Sequence, residues 1–275
     1  MTMQIIEKFT QGKTGDDALN EDKIVVAEHF VAVIDGVSSR RGQMLQGMTI
    51  GRFAAETIGA EISRLPRQIE SRQAIDHLTE RLKTISETAA SAENKNFGDT
   101  LRRPACALVM YSRHRREIWR VADPTFMING LANTKSFPQE ENWAQLRRAY
   151  ICSRLAKGER EETLRDNDST WELLSPMMAE FKVFTNYEGP FGYGVLNGTK
   201  VPDAHLEVFG ADHAHDIVLA SDGYPYVATT LEETEKVLQY IVTEDPLMYR
   251  LYPQVKGVKP GYVSFDDRSY VRFIP

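Results

Sequence analysis

Long apolar runs are missing from this 275-residue chain, and so are paired cysteines, internal repeats and any surplus of positive charge. No stretch approaches the roughly 20 apolar residues that a membrane-spanning helix needs. The opening run Met1-Thr2-Met3-Gln4-Ile5-Ile6-Glu7-Lys8 has no apolar core of signal-peptide length and carries an early acid, so a secretory leader is not expected. The two cysteines, Cys106 and Cys152, form no motif, and Cys106 lies in an apolar strand-like run where it reads as a small buried hydrophobe. This cysteine usage fits a reduced cytoplasm. The net charge of -6 argues against broad attraction to nucleic acid or to an anionic membrane. The glycine-rich run Asn186–Gly198 lacks the strand-loop-helix context and the lysine of a phosphate-binding P-loop. His213 and His215 form an His-x-His pair, but no third ligand stands at a zinc-binding spacing, so they read as a surface loop.

What the chain does have is aspartate at the ends of apolar, strand-like runs. These are Phe30-Val-Ala-Val-Ile-Asp35-Gly36, Ile118-Trp-Arg-Val-Ala-Asp123, Asp216-Ile-Val-Leu-Ala-Ser-Asp222-Gly223 and Phe265-Asp266-Asp267-Arg-Ser-Tyr-Val-Arg-Phe273. Aspartate and glycine are both depleted in strands, and any one such placement reads as a simple turn. Four together, with Asn20-Glu21-Asp22 upstream, point to one carboxylate cluster. Such a cluster repels itself unless a cation sits within it, and oxygen-only ligands favour Mg²⁺ or Mn²⁺.

These residues resemble a known family in order. Asn20-Glu21-Asp22 followed by Val33-Ile34-Asp35-Gly36 resembles the opening of the metal-dependent serine/threonine phosphatases of type 2C. Arg120-Val121-Ala122-Asp123 resembles their Val-Gly-Asp motif, Ser221-Asp222-Gly223 their Ser-Asp-Gly motif, and Asp266-Asp267-Arg268-Ser269 their closing motif. Each match alone is weak, but the ordered set spans residues 20 to 273. The resemblance implies a bacterial-type member, a layered β-sandwich flanked by antiparallel helix pairs, and a cleft with two divalent ions at one end of the sheets. It implies Asp35 as a bridging ligand, Asp222 and Asp266 completing one ion, and Glu21 with the Gly36 carbonyl supporting the other. Asp123 matches the position of a further, weaker metal. Asp35, Asp222 and Asp266 would then carry catalysis on a phosphorylated protein or a small phosphomonoester, through a water activated by the ions.

The residue patterns fit an α+β chain read as one domain, 1–275, with a variable helical and loop insertion around 131–200. Residues 23–35 read as two adjacent strands. Met44, Met48, Gly51, Ala55, Ile58, Ile62 and Leu65 make one apolar stripe, which predicts a helix from about Gln43 to Pro66. Ile75, Leu78, Leu82, Ile85 and Ala89 make a second. Strands are expected at 104–111, 116–122 and 126–128, the last closed by the turn Asn129-Gly130. Helices are expected at 142–154, 170–181 and 232–241, and the charged segment 157–168 reads as a solvated surface.

Three departures from the family pattern bear on the substrate. Val37 stands where many members have a proton-donating histidine. Asp17 stands where a phosphate-binding arginine is usual. Pro124-Thr125 replaces Ser-Arg. Substitutes for the missing arginine are to be sought among Lys13, Arg40, Arg41, Arg102 and Arg103, and the two arginine pairs are the favoured substrate contacts. Two competing classes were weighed. A catalytically weak phosphatase-fold module that binds a partner or phosphorylated ligand gains from Asp17 but not from the retained acids. A haloacid-dehalogenase type needs a second Asp two residues from a nucleophilic one, and Val33 stands at that spacing from Asp35.

Overall fold

The computed structural model describes residues 3–39, 42–95 and 103–275. In chain order the elements are β1 (Gln4–Gln11), β2 (Asp22–Val26), β3 (Phe30–Gly36), β4 (Met44–Leu45), β5 (Met48–Thr49), α1 (Ile50–Ile62), α2 (Ser71–Ala92), β6 (Cys106–Ser112), β7 (Glu117–Val121), β8 (Thr125–Ile128) and β9 (Leu131–Asn133). There follow α3 (Pro138–Ala156), α4 (Glu161–Asp166), α5 (Thr170–Glu180), β10 (Leu206–Gly210), β11 (Ile217–Ala220), α6 (Leu231–Glu244) and β12 (Arg268–Ile274). Two five-stranded antiparallel sheets result, in the orders β1-β12-β11-β8-β9 and β10-β7-β6-β3-β2.

The strand sequences dictate that these sheets stack. Phe30, Ala32 and Ile34 of β3 pack with α1 and α2, while Val31 and Val33 pack with Ile217, Leu219, Val271 and Phe273 of the opposite sheet. Side chains alternate along a strand, so a run buried on both faces reads as continuously apolar. The opposite sheet repeats the logic: Val218, Ala220 and Tyr270 turn outward onto Leu238 and Ile241 of α6 and onto Met248, Val258 and Phe265. The layers are therefore helix, sheet, sheet, helix, the layered α+β sandwich expected.

One boundary differs from the sequence pattern. The apolar stripe predicts a helix from Gln43, but α1 starts at Ile50, and residues 44–49 form a small hairpin. Its turn is Gln46-Gly47, at φ 50° and 74°, where glycine is at home. The Thr49 hydroxyl then caps α1 by accepting from the Arg52 N–H at 3.3 Å. Turn and cap outweigh the stripe that Met44 and Met48 extend. The Asn129-Gly130 turn forms as expected, at φ 51° and 81°. Among the described residues, no helix is long and apolar enough to cross a membrane.

Candidate active site

Register alone brings the strand-end acids to one end of the sandwich. Asp22 pairs directly with Asp35, and Gly36 with Cys106. Leu108 pairs with Val121, so Asp123 leaves β7 at that same end. In the other sheet, Ala220 pairs with both Thr125 and Tyr270, and Gln11 pairs with Arg268. Asp222, Asp266, Asp267 and Lys13 therefore all emerge there. Alternation also fixes the face. Asp22 shares the side of β2 with Ile24, Asp35 that of β3 with Val33, and Ser221 that of β11 with Leu219, so these side chains look into the gap between the sheets.

Glycine is obligatory at the seam. A Cβ on Gly36 would lie 2.4 Å from the Gly51 carbonyl oxygen and 2.6 Å from that of Glu21. A Cβ on Gly223 would lie 1.9 Å from the Asp267 carbonyl oxygen. Backbone from both sheets and from α1 closes around the acids at these points.

The sheets are tied at this end by polar side chains. The Ser221 hydroxyl donates to Asp22 Oδ2 at 2.6 Å and accepts from the Ser269 N–H at 2.8 Å. Asp267 accepts from the backbone N–H of Lys13 at 2.7 Å and of Glu21 at 3.3 Å. Lys13 Nζ donates to Asp266 Oδ1 and Asp267 Oδ2, each at 3.1 Å, and to Ser38 Oγ at 2.9 Å, with Glu21 Oε2 at 3.7 Å. Ser38 in turn donates to Glu21, and Lys256 donates to Asp266 Oδ2.

Charge divides the site in two. Around Asp266, burial would raise the carboxyl, but Lys256 and Lys13 outweigh it and hold the pKa down at about 2. Burial opposes the Lys13 charge as well, and Asp266, Asp267 and Glu21 hold it well above the ordinary lysine value. In the other half, burial and mutual repulsion outweigh what compensation there is. Burial first, then Asp222 and Asp22, push Asp35 well up, and Asp35 and Asp222 share a side-chain hydrogen bond. Asp22 is raised by burial and by Asp267, Asp222 and Asp266, against the Ser221 bond. Asp123 is raised by burial, Asp222 and Glu140. Asp222 is raised too, by burial and by Asp266, with the Asp35 hydrogen bond, Lys256 and Lys13 opposing. Glu140, in the first turn of α3, is pushed up to about 7 by burial and by Asp222, with Lys256 opposing.

Whether a divalent ion fits is decided by the donors. The set is all oxygen, as hard cations require. Asp22 Oδ1 is buried with no hydrogen-bond partner, and Asp22 and three neighbouring carboxyls are pushed toward protonation, by burial first and then by nearby acids. An unmet buried acceptor is costly, and a cation between these groups would meet it. Against this, no three His, Cys, Asp or Glu side chains among the described residues are grouped as they would be around one ion. The donor chemistry fits, and the side chains lie short of a closed coordination shell.

Beside the cluster opens a cleft of about 720 Å³. Its walls include Lys13, Glu21, Ser38, Lys256 and Trp171, whereas Asp35 and Asp222 are not among the lining residues. Lys13 and Lys256, which both pair with Asp266, link the cluster to the cleft wall. Of the predicted substrate contacts, Arg40, Arg41 and Arg102 lie outside the described residues. Arg103 pairs with Glu87 of α2 at 3.6 Å and does not line the cleft. Lys256 and Glu140 were not singled out by sequence. Glu140 reads as an ordinary acid complementing a helix N-terminus, and Lys256 sits in a loop with no motif. The charged segment 157–168, read as solvated surface, is exposed or half-buried apart from Leu164, and it contributes Arg165, Asp166 and Asp168 to the cleft wall.

No protein-family model matches the sequence, and no curated protein does. Solved structures do. The serine/threonine phosphatase Stp1 from Staphylococcus aureus is similar at a TM-score of 0.50 and 12% identity, over 100% of this chain and 97% of that one. The Mycobacterium tuberculosis serine/threonine phosphatase PstP/Ppp gives a TM-score of 0.49 at 12% identity, over 100% and 99%. The Stp1 likeness gives the chain the fold of the type 2C serine/threonine phosphatases. At this identity the likeness speaks for the fold alone.

Proposed function

We propose that this chain is a metal-dependent phosphatase acting on phosphate monoesters, with phosphoserine or phosphothreonine in a protein as the favoured substrate. The observation that carries the reading is the convergence of Asp22, Asp35, Asp123, Asp222 and Asp266 at one sandwich end, with the buried Asp22 Oδ1 lacking a partner. Asp35, Asp222 and Asp266 would hold two Mn²⁺ or Mg²⁺ ions with Glu21, the Gly36 carbonyl and Asp123. Bound there, the ions supply Lewis acidity that activates water and neutralises phosphoryl charge.

The chain's own groups do the rest. Asp35 and Asp222 share a side-chain hydrogen bond, and the single proton in it would be given up to solvent when cations are bound. Asp22, oriented by Ser221, offers its free oxygen as an acceptor toward the cluster. Lys13 and Lys256 both pair with Asp266 and line the cleft, where they would offer positive charge to the oxygens of an entering phosphate. They take the part assigned above to the arginine pairs. Val37 has no proton to give, so protonation of the leaving group would fall to solvent or to Glu140, whose carboxyl is raised to about 7.

One observation favours a second reading, a module that binds without hydrolysing: Asp266 is engaged by two lysines at once. Phosphate release from a phosphothreonine peptide and from p-nitrophenyl phosphate, with Mn²⁺, separates the two. Turnover of either ester supports the enzyme. Saturable binding of the phosphopeptide without release of phosphate supports the module.

A further inference from the structure

We propose that Arg147 of α3 is a positioning residue that acts on the site through Lys256; this rests on the phosphatase reading above. Residues 245–267, between α6 and β12, contain no helix or strand. Irregular segments beyond roughly 12–15 residues are uncommon in compact domains and are usually functional. This one is fastened by two buried charges. Asp245 has no exposed side-chain surface and accepts from the backbone N–H groups of Tyr249, Arg250 and Leu251 at 3.0, 2.6 and 2.8 Å. Arg147, also fully buried, donates Nη1 to the carbonyl oxygens of Leu247 at 2.6 Å and Gln254 at 3.2 Å, with Met248 at 3.4 Å. Its Nη2 donates to Asp168 at 2.7 Å and its Nε to Thr170 Oγ1 at 3.0 Å.

Lys256 lies between fastened residues. Gln254 is held by Arg147 and by the Met248 carbonyl at 2.9 Å. Val258 donates its N–H to Pro246 at 2.7 Å and accepts from Arg165 Nε at 3.1 Å. A Cβ on Gly257 would come within 2.9 Å of the Pro246 carbonyl oxygen, so the two limbs of the loop touch beside Lys256. The Lys256 ammonium then reaches Asp266 and lines the cleft. A buried guanidinium costs several kcal/mol to desolvate unless its donors are matched. Here the match is supplied mainly by the carbonyls of this loop, and none of the hydrogen-bond partners of Arg147 lies on a sheet. Losing Arg147 would loosen the support of Lys256 and leave the sandwich intact.

The test is a double-mutant cycle read by calorimetric titration of inorganic phosphate with Mn²⁺ present, alongside kcat and KM for p-nitrophenyl phosphate. Lys256→Ala and Arg147→Met should each weaken phosphate binding about tenfold, as expected for loss of a hydrogen bond to a charged group, and raise KM more than they lower kcat. The double variant should bind no more weakly than Lys256→Ala alone. If Arg147→Met does not fold, Arg147→Lys takes its place, because an ammonium cannot reproduce the planar fork that spans these acceptors. An Arg147 variant that leaves phosphate binding unchanged overturns the assignment. So do losses that multiply in the double variant, since Arg147 would then act independently of Lys256. A wild-type protein that neither binds phosphate nor hydrolyses ester overturns the phosphatase reading and this assignment with it, whereas an active wild type with multiplying losses overturns this assignment alone.

Discussion

Asp22 and Asp35 stand directly opposite one another on β2 and β3, both turned into the gap between the sheets. Like charges at directly paired positions destabilise a sheet by roughly 0.2–1 kcal/mol, and burial magnifies the penalty. The same end of the sandwich gathers Asp123, Asp222 and Asp266 as well. That placement has a cost in the metal-free protein and, on the proposed reading, would have a use with a cation bound.

Asp35→Asn should therefore stabilise the metal-free protein while removing activity. Relief of the pair is worth about 2 °C in Tm for a chain of this size. Calorimetric melting in EDTA at pH 7.5 checks it. A fall in Tm would mean that the Asp35 carboxyl, with its shared proton, is a net stabiliser.

The pH dependence follows from the same acids. Asp22, Asp35, Asp123 and Asp222 are raised in the folded state, and Glu140 to about 7. A raised carboxyl binds more protons folded than unfolded, so its stabilising contribution is present at low pH and is lost as pH rises through the folded pKa. Asp266 works oppositely: held at about 2, it contributes stability above its unfolded pKa and loses it only as pH falls toward 2. Metal-free protein should melt higher near pH 5 than near pH 8, and Mn²⁺ should raise Tm far more at pH 8. Melting curves with equal Tm at both pH values in EDTA would count against the uncompensated cluster.

Ser221 links the sheets through Asp22 and the Ser269 N–H and is fully buried. Ser221→Ala leaves Asp22 with neither oxygen satisfied and the Ser269 N–H without this acceptor, at about 1–3 kcal/mol. Urea unfolding should show a lower midpoint at unchanged slope. An unchanged midpoint would show that water replaces the hydroxyl at no loss.

Much of this arrangement was legible because strand periodicity is short-range information. The runs ending at Asp35, Asp123 and Asp222 carry their burial on their faces, and once paired they can only deliver those acids to one end. The start of α1 was misread because Met44 and Met48 continue a helical stripe, whereas the Gln46-Gly47 turn and the Thr49 cap decide the backbone. The cationic side of the site was harder. Lys13 was one of five substitutes considered, and its place beside Asp266 comes from the β1–β12 pairing across almost the whole chain. Lys256 has no local signal: its position depends on Arg147 and Asp245, distant in sequence and meeting only in the folded loop.

The most direct test of the account is hydrolysis of p-nitrophenyl phosphate by wild type and Asp222→Ala, each with Mn²⁺ and with EDTA. Wild type should turn over only with Mn²⁺. Asp222→Ala should lose more than the roughly 10–100-fold expected for removing an outer-shell partner, with Mn²⁺ binding weakened in a parallel calorimetric titration. Turnover that persists in EDTA, or an Asp222→Ala protein that binds Mn²⁺ and hydrolyses ester like wild type, would contradict it.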